Sequence, residues 1–309
     1  MKRAGRGELY AALAAIGYGS AYVATAFALR SFEPLPIAVY RTLLGAIALT
    51  LVIAAMRSNG RTAAAHASVA AARPSRMVRA VHLAVIAACG GPIFLAGMNF
   101  AIAGVGATIA SFVAGLYTVL AAVFAPFLLR EPLRPRPLVG FVAALVGTAF
   151  LAELDLGGEG IAGIGWGLMA AVSFALFLVL SRKWARADGF DALIVSLANM
   201  TATTLVLGVV VVVTNPASLL PRAIVPEALV AIAWLAVVVA GGQALAVAST
   251  KLVPAARTAA FLLLNPVTAT ILAFALLGER VEPIQVLGGG LVLAGIAAAT
   301  IERSPPQGR

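Results

Sequence analysis

Ten apolar stretches divide the chain, and each is close to the length that crosses a lipid bilayer. A spanning helix needs about 20 mostly apolar residues, because inside the bilayer every backbone N–H and C=O must be satisfied within the segment itself. The stretches cover 7–29, 35–55, 81–103, 108–129, 138–154, 161–180, 192–213, 229–249, 255–277 and 284–301. Charge or turn residues break them: Glu33-Pro34, Arg130 to Pro137, Glu153 to Glu159, Arg182 to Asp191 and Gly278 to Pro283. Only 11% of the 309 residues are charged and 62% are hydrophobic. A soluble domain carries about 25% charged residues. The composition therefore excludes a soluble enzyme and predicts an all-α integral membrane protein of ten transmembrane helices.

The net charge of +10 could point to nucleic acid in a soluble protein. In a membrane protein it reads first as the excess of Lys and Arg in cytoplasmic loops. With the N-terminus placed in the cytoplasm, 17 of the 22 Lys and Arg fall in cytoplasmic segments, among them Lys2, Arg3, Arg57, Arg61, Arg79, Arg134, Arg182 and Lys183. Arg30, Arg222 and Arg280 fall outside, with the acidic run Glu153, Asp155 and Glu159. Arg41 and Arg257 lie within spans. Both termini are expected in the cytoplasm. The Ala-rich loop between Arg57 and Arg79 reads as a flexible or membrane-surface segment.

The chain also repeats itself. A slide of 148 lays 116–151 on 264–299, so that Glu131 meets Glu279, Pro135 meets Pro283, Gly140 meets Gly288 and Gly147 meets Gly295. A slide of 156 lays Tyr18 on Phe174 and Gly19 on Ala175. The division is 1–154 and 155–309, five spans each. An odd number of spans turns the second copy upside down. Inverted repeats are a construction of secondary transporters, with a midplane site between copies that rock in alternating access.

These residues resemble the drug/metabolite transporter superfamily, and within it the EamA-type members. The resemblance rests on Asn265-Pro266-Val267, on Gly278-Glu279-Arg280, on Pro283-Ile284-Gln285, and on Gly288 and Gly295. The first copy is looser, with Tyr117-Thr118-Val119 and Arg130-Glu131-Pro132 at the matching places. What the resemblance implies is a ten-helix carrier of the bacterial-type inner membrane, exporting amino acids or related metabolites through a cavity between the halves.

Arg41 is the most informative single residue. A charged side chain at depth in a bilayer is costly and ordinarily faces a cavity or a partner. No Asp or Glu lies in the interior of a span to pair with it, Glu8 being at the edge of the first and Glu153 at the edge of the fifth. A guanidinium fork matches a carboxylate, so a clamp on a substrate carboxylate stands against snorkelling toward the headgroups. The missing intramembrane carboxylate also disfavours cation/proton antiport, and favours a zwitterionic or neutral guest. The remaining cavity candidates are Tyr18, Tyr22, Asn99, Ser111, Tyr117, Asn199, Gln243, Thr258 and Asn265. For each, the structural alternative is helix–helix packing and interhelical hydrogen bonding. Tyr117 and Asn265 gain weight because the repeat makes them equivalent.

Trp166 reads as an interfacial anchor, and Glu131 and Glu279 as turn and helix-end devices. Two separated histidines and the single cysteine, Cys89, make neither a metal site nor a disulfide. No cofactor motif is present. The predicted partners are a small-molecule substrate and the lipid bilayer, with no nucleic acid; the oligomeric state is not legible. The rival readings are a membrane-embedded enzyme acting on a lipid-linked substrate, and a carrier of phosphorylated or nucleotide-linked solutes. The first would need more Asp, Glu or His near the interface, and the second more than one buried cation.

Overall fold

The computed structural model describes residues 3–58, 75–129, 139–140, 142–143, 146–147, 150, 158–185, 188, 190–250, 261 and 264–300. Every regular element among them is helical. The α-helices are α1 (Arg3–Ala28), α2 (Pro34–Ser58), α3 (Arg76–Ala88), α4 (Phe94–Gly115), α5 (Tyr117–Leu129), α6 (Gly158–Leu180), α7 (Ala192–Thr214), α8 (Pro226–Thr250), α9 (Leu264–Leu272) and α10 (Pro283–Thr300). Short π-helical turns at Cys89–Ile93, Ser181–Ala185 and Ala273–Leu277 extend three of them. Five helical runs are long and apolar enough to cross a membrane, and three shorter apolar helices accompany them. Most of the expected fifth span, most of the Ala-rich loop and the start of the ninth span lie outside the described residues.

The third and fourth spans form one helical run, Arg76–Leu129, too long for a single crossing. Gly106 divides it. Its φ of +76° lies in the left-handed region, which breaks the helix in the gap expected between the two spans. Two turn devices also fix ends: Ser75 caps α3 by accepting from the Val78 N–H, and Asp191 caps α7 by accepting from the Leu193 N–H.

The helix surface is the reverse of a soluble protein's. Large apolar side chains such as Leu51, Phe127, Val213, Val230, Phe274 and Leu287 are well exposed. The interior is instead rich in small residues: Ala11, Ala14, Ala15, Ala28, Ala107, Ala110, Ala170, Ala171, Ala269 and Ala273 are all essentially inaccessible. Lipid tails are as apolar as leucine, so helices in a bilayer associate through close backbone approach at small residues. Gly19 marks one such approach, since a Cβ there would fall 2.6 Å from the Asn265 carbonyl oxygen on α9. Gly289 marks another, with a would-be Cβ 2.8 Å from Phe112 Cζ.

Packing crosses between the two parts of the sequence in a paired way. Helix α1 packs on α8 and α9, and α6 packs on α4 and α5 in the corresponding manner. Likewise α2 packs on α8 as α3 packs on α7, and α2 meets α7 between them. Two bundles result, one around α1, α8 and α9, the other around α6 and α3 to α5. The end of the molecule carrying the α1–α2 turn is tied by polar contacts across the sequence. There the Arg222 N–H donates to the Ser31 carbonyl at 2.8 Å, and Arg222 Nη2 pairs with Glu33 Oε1 at 2.9 Å. The Tyr40 hydroxyl donates to the Leu219 carbonyl at 2.5 Å.

Candidate functional site

Four of the predicted cavity residues come together in the interior. Tyr18 and Tyr22, one turn apart on α1, face the start of α5, and Arg41 projects from α2. The Tyr22 phenol lies within electrostatic reach of both the Arg41 guanidinium and Tyr117, and Tyr18 within reach of Tyr117. The backbone carbonyl of Asn265, at the start of α9, comes close to Gly19 of α1. The Asn265 side-chain Oδ1 is buried with no hydrogen-bond partner among the described residues. Gly242 on α8 backs the ring of Tyr18.

Arg41 does not snorkel. It is only 4% exposed, and its Nε and Nη1 are buried with no hydrogen-bond partner among the described residues. A desolvated guanidinium with two vacant donors is expensive and is stabilised only by an anion or acceptors that reach it. Among the described residues its surroundings supply the Tyr22 phenol and no carboxylate. The arrangement therefore suits an acceptor arriving from outside the chain, with aromatic faces beside it.

An aromatic wall stands opposite on α6. Tyr117 meets Phe174 edge-to-face at 4.8 Å between centroids, and Phe174 also contacts Phe94 at 4.5 Å and Phe177 at 5.1 Å. These phenylalanines were not among the predicted site residues. The slide of 156 that lays Tyr18 on Phe174 held the signal, because it gives the two aromatics equivalent places on α1 and α6.

Other predicted residues are placed elsewhere or already engaged. Asn99 Nδ2 donates to the Pro34 carbonyl at 2.8 Å and ties α4 to the start of α2. Ser111 Oγ donates to the Thr108 carbonyl one turn back, at 2.7 Å. Asn199 packs against Gly90 and Gly91 in the π-helical turn after α3, with its Nδ2 2.7 Å from a would-be Cβ of Gly90. Gln243 lies on α8 with its side chain outside the described set, and Thr258 lies outside the described residues altogether. Trp166 is partly exposed and stacks on Phe100 at 4.9 Å.

A second polar cluster joins α3 to the segment after α6. His82 Nδ1 and Asp188 Oδ2 are 2.9 Å apart, with the Asp188 side chain 1% exposed. The imidazole stacks on Trp184 at 4.2 Å, and the Arg79 guanidinium sits over Phe190 at 5.3 Å. Among the described residues no group of His, Cys, Asp and Glu could hold a metal ion.

Family comparison decides the class. The model of the EamA-like transporter family matches the sequence twice, over residues 5–152 and 161–301. The chain belongs to the EamA-like transporter family. It is therefore a multi-pass membrane transporter of the drug/metabolite type, embedded in lipid and acting on a small molecule. No curated protein matches the sequence. A solved structure described only as "Crystal structure of protein" is 21% identical, with a TM-score of 0.63 over 95% of this chain and 96% of that one. At that identity the likeness speaks for the transporter's fold alone.

Proposed function

We propose that this EamA-like transporter exports small solutes that carry a carboxylate, zwitterionic amino acids or amphipathic analogues foremost, by alternating access around the Arg41 cavity. The buried Arg41 guanidinium, with two vacant donors and no carboxylate beside it among the described residues, is the observation that carries the reading. A carboxylate supplies an acceptor for a vacant donor and the counter-charge that the site lacks. Tyr18, Tyr22 and Tyr117 would flank the rest of the guest, and Asn265 Oδ1 offers an acceptor for an amino group. The paired packing of α1 on α8 and α9, and of α6 on α4 and α5, supports two inverted five-helix repeats, 1–154 and 155–309, that rock about this cavity.

In this reading the transporter has ten spans and lies in a bacterial-type inner membrane with both termini cytoplasmic. The α1–α2 turn then faces the outside. Uptake of a metabolite panel into proteoliposomes without an ion gradient, read by mass spectrometry, tests the substrate class. The panel pairs each amino acid with its decarboxylated amine. The expected result is equilibration of a subset of the acids and not of their amines. Uptake of amines alone would overturn the carboxylate reading.

A further inference from the structure

The Gly106 turn between the third and fourth spans meets Glu279, which follows α9 and its π-helical turn in the other part of the sequence. Glu279 Oε1 accepts from the Ala107 N–H at 2.9 Å, and Oε2 accepts from the Thr108 N–H at 3.1 Å. Those donors open the second half of α4, where no carbonyl of the helix itself can take them. A carboxylate there also faces the positive end of the helix dipole. The fit is close on both sides. A Cβ on Gly106 would stand 3.0 Å from Oε1, and the left-handed φ of +76° admits glycine at least cost. Glu279 itself is placed by Gly278, whose φ is +70°.

This bond is a bridge between the two bundles. Glu279 continues the span of α9, which packs on α1, and the helix beginning at Ala107 leads into α5, which packs on α6. Beside it, Ala107 and Ala110 share one apolar cluster with Ala269 and Ala273 of the α9 span and with Tyr22 and Val39. That cluster lies in the half of the molecule near the α1–α2 turn. Toward the other end, α3 packs on α7 and α6, and α5 packs on α6 and α10. The apolar cluster joins the two bundles at the end where Glu279 sits.

We propose that Glu279 is the outer latch of the transport cycle: its carboxylate holds the start of the fourth span against the end of the ninth, and outward opening requires it to release the Ala107 and Thr108 N–H groups. The proposal rests on the alternating-access reading and on its assignment of the α1–α2 end to the outside. Glu279→Ala removes both acceptors. Glu279→Gln keeps one acceptor oxygen and loses the charge. Gly106→Ala pushes on the carboxylate from the opposite side and leaves Glu279 in place.

The test is labelling by a membrane-impermeant maleimide, applied from outside to right-side-out vesicles, of a Ser111→Cys reporter in a Cys89→Ser background. Ser111 is 2% exposed and lies one turn beyond the latch. Glu279→Ala is expected to raise the labelling rate about tenfold, the size of shift that follows loss of a charge-assisted hydrogen bond. Glu279→Gln and Gly106→Ala should fall between it and the parent. Each variant's thermal unfolding in detergent accompanies the rates, so that labelling from a misfolded chain is recognised. Unchanged labelling in well-folded Glu279→Ala and Gly106→Ala, with solute transport intact in the parent, overturns the latch and leaves the transport reading standing. A parent that moves no solute overturns the transport reading whatever the labelling does.

Discussion

Replacing Arg41 by alanine is expected to cut transport of a carboxylate solute by about tenfold to a hundredfold, while leaving the transporter as stable as before or slightly more so. The first part follows from the size of a hydrogen bond to a charged group, roughly 1.5–3 kcal/mol, where every 1.4 kcal/mol is about a factor of ten. The second follows from the state of the side chain without solute. Its Nε and Nη1 are buried and unpartnered among the described residues, so truncation removes a desolvation cost. Initial transport rates and the thermal midpoint of the same preparations check both halves. Arg41→Lys keeps the charge and loses the fork, so it should recover only part of the rate. A structural arginine would behave the other way, with a lowered midpoint and solute affinity unchanged in the protein that remains folded.

The second large effect is expected at the α3 end of the molecule and concerns stability. His82→Ala leaves the Asp188 carboxylate without the partner that lies 2.9 Å away, in a position where its side chain is 1% exposed. Breaking a buried pair by removing one member costs about 3–5 kcal/mol, because the other charge stays buried and uncompensated. The His82 side chain is 21% exposed and water can reach it, so the lower end of that range applies. The fall in thermal midpoint should be on the order of 10 °C. Replacing both residues with leucine should restore much of it, since an apolar pair of similar size leaves no orphan charge. Unfolding followed by scanning fluorimetry gives the answer. A His82→Ala midpoint equal to the parent's would show that Asp188 has another means of support.

A smaller effect is expected at the helix break. Alanine at position 106 must adopt a φ of 76° with a ψ of 173°, a region that is essentially glycine's own and costs a residue with a side chain about 1–3 kcal/mol. The parallel change at Gly290, where a Cβ would meet open space, should be close to neutral or slightly stabilising. Comparing the two midpoints separates the strain at Gly106 from a general dislike of replacing glycine. Equal midpoints would contradict it.

Much of the transporter's architecture was written in local pattern. Spans such as 35–55 and 192–213 carry enough consecutive apolar residues that lipid burial alone fixes them, and α2 and α7 appear within a few residues of those limits. Arg41 was legible for the same reason: one charge in an apolar run has a cost that asks for an explanation. Tyr18, Tyr22 and Tyr117 were legible as polar tips at helical spacing, and Tyr117 through its repeat-equivalence to Asn265.

What escaped was the pairing of groups far apart in sequence. Glu279 and Ala107 are separated by 172 positions, and nothing near Gly106 announces that its N–H groups will face a carboxylate. His82 and Asp188 each stand at the edge of an apolar run, where a charge normally means solvent. Only packing α3 against the segment after α6 buries them together. Asn99 and Asn199 show why sequence alone cannot sort such residues, since a polar residue within a span reads alike whether it lines a cavity or secures a neighbouring helix. Asn99 secures the start of α2 through the Pro34 carbonyl.

Solute counterflow tests the central claim most directly. Proteoliposomes loaded with an unlabelled amino acid are diluted into a trace of the same acid carrying an isotope, and the label inside is followed. A carrier that alternates around the Arg41 cavity predicts transient accumulation of label above its outside concentration, strongly slowed by Arg41→Ala and absent when the internal acid is replaced by its decarboxylated amine. Label that only equilibrates, with equal rates for parent and Arg41→Ala, would contradict it.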